Sequence, residues 1–177
     1  SKLEYLKQLG VGCVWLTPFY PSPKVDQGYD VSDYENVDPD YGTLEDFRAF
    51  VQQAHALGIR VLADVVMNHT STEHAWFKES RSSRTNPKRD WYIWKEPVNG
   101  AEPNNWESFF GEKAWELDEA TGMYYYHSFA KEQADLNWAN PEVKQAMFRM
   151  LDFWMDLGVD GFRLDVINNL SLTDRMT

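Results

Sequence analysis

The sequence contains a single cysteine, Cys13, no low-complexity tract and no internal repeat among its 177 residues. One cysteine excludes an internal disulfide and suits a reducing, cytoplasmic compartment. No apolar run approaches the roughly 20 residues of a membrane-spanning helix. Basic residues are also few, because 17 Lys and Arg stand against 28 Asp and Glu, giving a net charge of −11. This acidity argues against a nucleic acid or an anionic membrane as partner.

Several common catalytic motifs are missing as well. The sequence has no glycine-rich phosphate loop, no serine nucleophile elbow and no Cys-x-x-Cys pair. Asp64, His69 and Asp165 could in principle ligate a metal, but there is no His-x-His pair and no second histidine at a neighbouring strand end. We therefore expect no metal or other cofactor among these residues.

Aromatic residues, in contrast, are abundant. They make up 15% of the chain and include eight tryptophans, more than a core of this size needs. Flat aromatic side chains stack well on the C–H faces of sugar rings, so the composition favours a carbohydrate ligand.

The first 69 residues alternate between helical and extended patterns. LEYLKQLG has the leucine spacing of a helix, and the β-rich VGCVWLTPF that follows predicts a strand. A long polar loop leads to TLEDFRAFVQQAHALG, which predicts a helix with Thr43 as N-cap and Asp46 completing a capping box. IRVLADVVMNH predicts the second strand.

Residues 70–137 lack a helical period and are dominated by turn residues and aromatics, which predicts an irregular, β-containing insertion. Within it, DEATGMYYYHSF is predicted to be a hairpin arm. Four tryptophans of this segment are expected to form its small core: Trp91, Trp94, Trp106 and Trp115.

The last segment returns to the alternating pattern. NPEVKQAMFRMLDFWMDLG predicts a helix with Asn140 as N-cap and Pro141 at its first position, and VDGFRLDV predicts a third strand. Strands that alternate with helices indicate the α/β class, with a parallel sheet. Three parallel strands rarely stand alone, so we expect part of a larger domain, divided into segments 1–69, 70–137 and 138–177.

Polar residues stand where the predicted strands end, which is where parallel α/β folds gather functional groups. Asp26 and Tyr29 lie in the loop after the first strand, His69 ends the second, and Asp165 ends the third. Taken alone, Asp26 would be ordinary turn chemistry, whereas the position of His69 favours substrate binding.

The third strand carries two charges on one face. The two-residue period of a strand places Arg163 and Asp165 side by side. Because removing charges from water costs several kcal/mol each, such a pair needs a reason to be there. Asp64, in the middle of the second strand, is expected to be a structural partner of Arg163.

Three stretches resemble the α-amylase superfamily of glycoside hydrolases (glycoside hydrolase family 13): DVVMNH (64–69), QADLNW (133–138) and GFRLDV (161–166). DQGYD (26–30) and NPKRDWYIW (86–94) are similar to the α-glucosidase-like branch, which acts on short α-glucosides. The resemblance implies a partial TIM (β/α)8 barrel, about strands two to four. A small β-containing subdomain would be inserted after the third barrel strand.

The resemblance also implies roles for individual residues. Asp165 would be the nucleophile of a retaining mechanism that passes through a covalent glucosyl intermediate. Arg163 would orient this carboxylate and keep it ionised, since a nearby positive charge favours the charged form. Five residues would bind the small carbohydrate substrate: Asp26, Tyr29, His69, Phe110 and Phe129.

Within the superfamily, four stretches are most similar to trehalose-6-phosphate hydrolases: WLTPFYPSPKVDQGYDV, DPDYGTLEDF, HTSTEHAWF and QADLNW. In the last of them, many oligo-1,6-glucosidases have a proline at the position of Ala134. Val166 is similar to enzymes that accept α-1,6 or α-1,1 bonds. An oligo-1,6-glucosidase or other α-glucosidase is the alternative, and a non-catalytic sugar-binding or scaffold relative a more distant one. A phosphorylated disaccharide would require a basic pocket, for which the candidates are Lys88, Arg89 and Lys95.

A retaining glycosidase also needs a second carboxyl group about 5–5.5 Å from the nucleophile. In this family it is a glutamate at the end of the next strand, followed later by a His-Asp pair. No glutamate follows Asp165 in this sequence. We expect these groups to lie outside the 177 residues and the chain alone to be inactive. The calcium loop of some relatives would precede Ser1, so the sequence gives no expectation for calcium.

Overall fold

The computed structural model describes residues 2–170. It contains four α-helices: α1 (Leu3–Gln8), α2 (Leu44–Ala56), α3 (Ala75–Ser82) and α4 (Pro141–Asp156). It contains eight strands: β1 (Cys13–Leu16), β2 (Arg60–Val66), β3 (His69–Ser71), β4 (Trp94–Lys95), β5 (Trp115–Asp118), β6 (Met123–Tyr126), β7 (Gln133–Asp135) and β8 (Gly161–Asp165). No helix in this part of the chain is long and apolar enough to cross a bilayer.

Strands β1, β2 and β8 form one parallel sheet in the order β1-β2-β8, which confirms the predicted α/β class and the three predicted strands. The register places Asp64 beside Arg163 and Val66 beside Asp165. The carboxyl ends of the strands therefore meet at one edge of the sheet. Cys13 is exposed despite its apolar neighbours in sequence, because it lies on the outer strand β1.

The predicted helix starts of α2 and α4 are confirmed. The Thr43 hydroxyl accepts the N–H of Asp46 at 3.1 Å, and the Asp46 carboxylate accepts the N–H of Thr43 at 2.9 Å. In α4, the Asn140 side chain accepts the N–H of Glu142 at 2.9 Å, with Pro141 at the first helical position. These bonds satisfy amide groups that have no partner within the helix.

The core is centred on Trp154 of α4, which is fully buried. Its indole ring packs edge-on against Phe47 of α2 at 5.0 Å and against Phe19 at 5.2 Å, and its N–H donates to the Tyr34 carbonyl at 2.8 Å. Phe19 and Tyr34 belong to the long loop that follows β1. The loop carrying Asp26 and Tyr29 is therefore held to the core at both ends.

The segment between β2 and α4 contains two small antiparallel sheets, β3-β7 and β4-β6-β5. The hairpin predicted in DEATGMYYYHSF is confirmed as the pairing of β5 with β6, although its first strand begins at Trp115. The prediction that residues 70–137 lack helix is wrong, because α3 lies there. Its N-cap is His74, and only Phe77 and the small Ser80 are buried, so the apolar period is too short to detect.

The predicted tryptophan core of this segment is confirmed for two of its four members. Trp106 and Trp115 pack on Tyr126 in a small separate cluster. Trp91 and Trp94 instead join the main core, for which the prediction is wrong. The reason is α3, whose fully buried Phe77 stacks against Trp94 with ring centroids 5.8 Å apart.

Candidate functional site

Three charged residues meet at the carboxyl end of the parallel sheet. The Nη1 atom of Arg163 lies 3.2 Å from both carboxylate oxygens of Asp64 and forms an ion pair with Asp165. Arg163 and Asp165 share one face of β8, and Asp64 faces Arg163 across the β2–β8 pairing. Both predicted contacts of Arg163 are therefore confirmed.

The two carboxylates differ sharply in exposure. The Asp64 side chain is 0% exposed, and its Oδ2 also accepts from the Trp15 indole N–H at 3.2 Å and the Tyr29 hydroxyl at 3.1 Å. Burial raises the pKa of Asp64 above its usual range, although Arg163 opposes that shift. The Asp165 side chain is 14% exposed. Only Asp165 therefore offers a carboxylate to a molecule arriving at the surface.

Arg163 is held from three sides while its own side chain remains 41% exposed. Burial lowers its pKa, but Asp64 and Asp165 outweigh this and raise it above the usual arginine range. The guanidinium also lies 5.2 Å from the centre of the Trp15 ring, a cation–π contact. The cation is permanently charged and fixed in direction, as a group that orients a neighbouring carboxylate must be.

His69 begins β3 and is 2% exposed. Its Nδ1 lies 3.1 Å from the Asn68 side-chain amide, which can only donate. This leaves Nε2 to carry the proton and donate to the Tyr29 carbonyl at 3.2 Å. Burial lowers the pKa of His69 to about 4, so the ring is neutral at neutral pH.

Gln133 connects His69 with Asp26. Its side-chain nitrogen donates to an Asp26 carboxylate oxygen at 3.0 Å, and the residue is fully buried. The same nitrogen lies 3.2 Å from His69 Nε2, a contact that is not a hydrogen bond because both nitrogens are donors. Our sequence reasoning assigned no role to Gln133, although it opens the QADLNW motif. Local pattern could not reveal it, because its partners stand 64 and 107 positions away.

Aromatic rings extend this group toward the surface. The centroid of the Phe129 ring lies 5.2 Å from that of His69, 5.7 Å from that of Phe110 and 5.2 Å from that of Phe109. Phe110 is 55% exposed. Contacts thus connect all the residues that the sequence assigns to the site. One series of contacts runs from Asp165 through Arg163, Asp64, Tyr29, His69 and Phe129 to Phe110. Asp26 is connected to His69 through Gln133.

The proposed basic pocket is not supported for two of its three candidates. Lys88 donates to the Glu79 carboxylate at 2.6 Å. Arg89 is 6% exposed, lies 3.5 Å over the Trp94 ring and donates to the Ser80 carbonyl at 3.1 Å. Both cations are engaged in packing the segment between β2 and α4. Lys95 lies in β4, paired with Tyr124.

Residues 2–170 form no metal-binding cluster, and a cavity in this part of the chain lies beside this group of residues. Residues 2–170 contain no cluster of three or more His, Cys, Asp or Glu suited to hold a metal ion. A cavity of about 450 Å³ lies between the end of β1 and α2, among Leu16, Pro18, Phe47 and Phe50. Trp15 also lines it, together with the core residues Phe19 and Phe47 and the capping pair Thr43 and Asp46. The site is instead an open group of side chains at the strand ends.

Comparison with known proteins identifies the family. The family profile of the alpha-amylase catalytic domain matches residues 1–177. The chain belongs to the alpha-amylase family. Solved structures agree: a trehalose-6-phosphate hydrolase of Bacillus licheniformis superposes with a TM-score of 0.95 at 51% identity, covering 98% of this chain and 32% of that one. A trehalulose synthase from Pseudomonas mesoacidophila MX-45 gives 0.94 at 49% identity, covering 96% and 31%.

Similar curated members of the family carry three different names. The oligo-1,6-glucosidase of Parageobacillus thermoglucosidasius is 55% identical over 171 residues, 97% of this chain and 30% of its own length. The trehalose-6-phosphate hydrolase of Bacillus subtilis (strain 168) is 56% identical over 176 residues, 99% and 31%. An alpha-glucosidase of Schizosaccharomyces pombe is 53% identical over 180 residues, 99% and 31%. The chain thus spans about a third of the length of these relatives.

Proposed function

We propose that the protein containing this chain is a retaining α-glucosidase with Asp165 as its nucleophile. The observation that carries the proposal is that the two carboxylates bound to Arg163 differ in exposure. Asp64 fixes the guanidinium from a fully buried position, while Asp165 binds the same Nη1 atom and remains partly exposed at a strand end. The names of the relatives support the same class, since all three are glycosidases.

The proposed reaction has two steps. An oxygen of the Asp165 carboxylate forms a bond to the anomeric carbon, the bond from that carbon to the glycosidic oxygen breaks, and the leaving oxygen takes a proton from a second carboxyl group. Water then attacks the same carbon, returns a proton to that group and frees Asp165, with retained configuration. Asp64 does not suit the second role, because it is 0% exposed with both oxygens occupied.

Five residues are proposed to bind the substrate, three of them at its glucose unit. Tyr29 supplies a ring for stacking, and the half-buried Asp26 carboxylate can accept hydroxyl groups. His69 is so buried that its Nε2 could bind the sugar only by giving up its present acceptor, the Tyr29 carbonyl. Phe110 and Phe129 would border the cleaved bond.

We further propose that the parallel sheet forms strands two to four of a (β/α)8 barrel, with the predicted segments 1–69, 70–137 and 138–177. The last seven residues of that third segment lie outside the described part. Both outer strands of the sheet carry exposed apolar residues, Trp15 on β1 and Leu164 on β8. The remaining strands and helices of a barrel would cover such residues. The 177 residues alone are accordingly expected to show no turnover.

Trehalose-6-phosphate is the proposed substrate, because of Ala134 and the stretches that resemble trehalose-6-phosphate hydrolases, with isomaltose as the alternative. Identities of 56% and 55% to relatives named for the two activities do not separate them. Measuring kcat/KM of the full-length protein on both sugars decides the question. A higher value for isomaltose would make the oligo-1,6-glucosidase assignment correct.

The nucleophile is tested in the full-length protein with Asp165→Ala and, as control, Asp152→Ala on the exposed side of α4. We expect Asp165→Ala to lose hydrolysis of an aryl α-glucoside and to regain turnover with azide, which attacks the face that Asp165 vacated and yields the β-glucosyl azide. Asp152→Ala should match the parent protein. Product of inverted configuration from the parent protein, or full activity in Asp165→Ala, would refute the proposal.

A further inference from the structure

The residue that follows Asp165 has an unusual backbone. Val166 has φ +40° and ψ +37°, in the left-handed region, which is rare for a β-branched side chain. A short 3-10 turn over Ile167–Asn169 follows, and the Asn169 N–H donates to the Val166 carbonyl at 2.8 Å. Such a conformation persists only where the surroundings enforce it, and it sets the direction in which the end of β8 points.

The side chain of Asn169 ties this turn to two other parts of the chain. Asn169 is 3% exposed, and its amide donates to the Ser128 hydroxyl at 2.9 Å and to the Asn68 side-chain oxygen at 3.3 Å. Asn68 follows β2, and Ser128 follows β6. The turn after the nucleophile is therefore anchored both to the parallel sheet and to the segment between β2 and α4.

Asp135 of β7 completes the arrangement. Its carboxylate accepts from the Ser128 backbone N–H at 2.8 Å, from the Ser128 hydroxyl at 2.5 Å and from the Asn68 amide at 3.2 Å. All four residues are at most 3% exposed. Buried polar groups are costly unless paired, and among the buried side-chain atoms of these four residues Asn169 Oδ1 alone has no hydrogen-bond partner in the described part of the chain. The bonds that the other atoms make rigidify the elements they join.

We propose that four residues form a positioning network: Asn68, Ser128, Asp135 and Asn169. The network holds the turn after Asp165 in place and thereby sets the orientation of the Asp165 carboxylate. Arg163 orients the carboxylate through its oxygens, and the network orients it through the backbone. The proposal rests on the proposed function of Asp165. It assigns to the segment between β2 and α4 an effect on the chemical step that needs no contact with substrate.

The test measures how fast Asp165 reacts in the full-length protein. With 5-fluoro-α-D-glucosyl fluoride, an Asp165 oxygen bonds to the anomeric carbon and fluoride leaves, giving an adduct that hydrolyses slowly. The inactivation rate constant and the half-saturating concentration are then compared among Ser128→Ala, Asn169→Ala and the control Ser80→Ala. Ser80 is matched to Ser128, because its buried hydroxyl also makes two hydrogen bonds, to Arg89 and Trp94.

We expect Ser128→Ala and Asn169→Ala to lower the inactivation rate constant by about tenfold or more while the half-saturating concentration stays within about twofold. Ser80→Ala should keep the inactivation rate constant of the parent protein, even if its melting temperature falls as far as that of Ser128→Ala. In a Val166→Gly background the left-handed backbone is unstrained. There, Asn169→Ala should lower the inactivation rate constant by a smaller factor than it does in the parent protein.

Parent-like inactivation rates in both Ser128→Ala and Asn169→Ala, or an equal loss in Ser80→Ala, would overturn the network while leaving Asp165 as nucleophile. Failure of the parent protein to form any adduct would overturn both proposals. The two failures are therefore distinguishable in one experiment.

Discussion

The parallel sheet and the segment between β2 and α4 each contain a fully buried aspartate that holds a half-exposed arginine. In the sheet, Asp64 binds Arg163, whose side chain is 41% exposed. In the other segment, Asp118 binds Arg81, 44% exposed, through the arginine Nε at 3.1 Å and Nη2 at 2.7 Å. Judged by burial and charge, the two pairs are nearly the same.

They differ in what each pair supports. The carboxylate of Asp118 also accepts from the N–H and hydroxyl of Thr121, which closes the β5–β6 hairpin. Arg163 instead continues to a second carboxylate at a strand end, Asp165. A buried ion pair is therefore not by itself the mark of a site. The distinguishing feature is a further, partly exposed group that the arginine holds in place.

Removing the two arginines should separate these roles most strongly. We expect Arg163→Ala in the full-length protein to lower kcat/KM by about 10²–10³-fold, since it deletes the charge that orients the nucleophile. Arg81→Ala should stay within about twofold of the parent. Initial rates on an aryl α-glucoside provide the measurement. An equal loss in both variants would mean that the two pairs do not differ in function.

Changing the buried aspartates should give similar stability losses but different activities. Asp64→Asn and Asp118→Asn each weaken hydrogen bonds to charged or polar donors, at a cost of about 1–3 kcal/mol in the free energy of unfolding, reduced because both arginines are half-exposed. Urea unfolding measures this cost. Only Asp64→Asn should also lose activity, because it frees Arg163. If Asp64→Asn were as active as Asp118→Asn, the fixing role of Asp64 would be wrong.

Two buried histidines of the segment between β2 and α4, His69 and His74, have a pKa that is lowered to about 4, and burial is the main cause in both. The folded state stays unprotonated where the unfolded chain takes up a proton. The contribution of each neutral histidine to the free energy of unfolding is therefore fully present above the ordinary pKa of 6.5. It is lost as the pH falls from 6.5 toward 4. Each histidine adds a slope of up to about 1.4 kcal/mol per pH unit.

His74→Asn isolates one of these slopes. Asparagine can still accept the Trp76 N–H that His74 accepts at 3.1 Å as N-cap of α3, but it does not titrate. Between pH 6.5 and 4, the free energy of unfolding of this variant should fall less steeply than that of the parent. Parallel curves for the two proteins would show that His74 is not buried in its neutral form.

The smallest effect is expected for Lys88, which is paired with Glu79 in the segment between β2 and α4. Lys88→Gln should leave the ratio of kcat/KM for trehalose-6-phosphate over isomaltose within about twofold of the parent. A selective loss of more than about tenfold on the phosphorylated sugar would instead place Lys88 in a phosphate pocket.

How much of the structure can be predicted from the sequence depends on how far apart in the chain the interacting residues lie. Caps such as Thr43–Asp46 and the pairing of Arg163 with Asp165 span two or three positions, so the helical and strand periods expose them. Helix α3 was missed because its buried stripe has one large side chain. The polar contacts of Gln133 and Asn169 join residues 41 to 107 positions apart, and no local pattern encodes them.

The most direct test of the central claim is to locate the covalent adduct. The full-length protein is treated with 5-fluoro-α-D-glucosyl fluoride, digested at low pH and analysed by tandem mass spectrometry. We expect a single fluoroglucosyl group on the carboxylate of Asp165, in the peptide that contains GFRLDV. A group on Asp64 or on any carboxylate outside this peptide would contradict the assignment of Asp165 as the nucleophile.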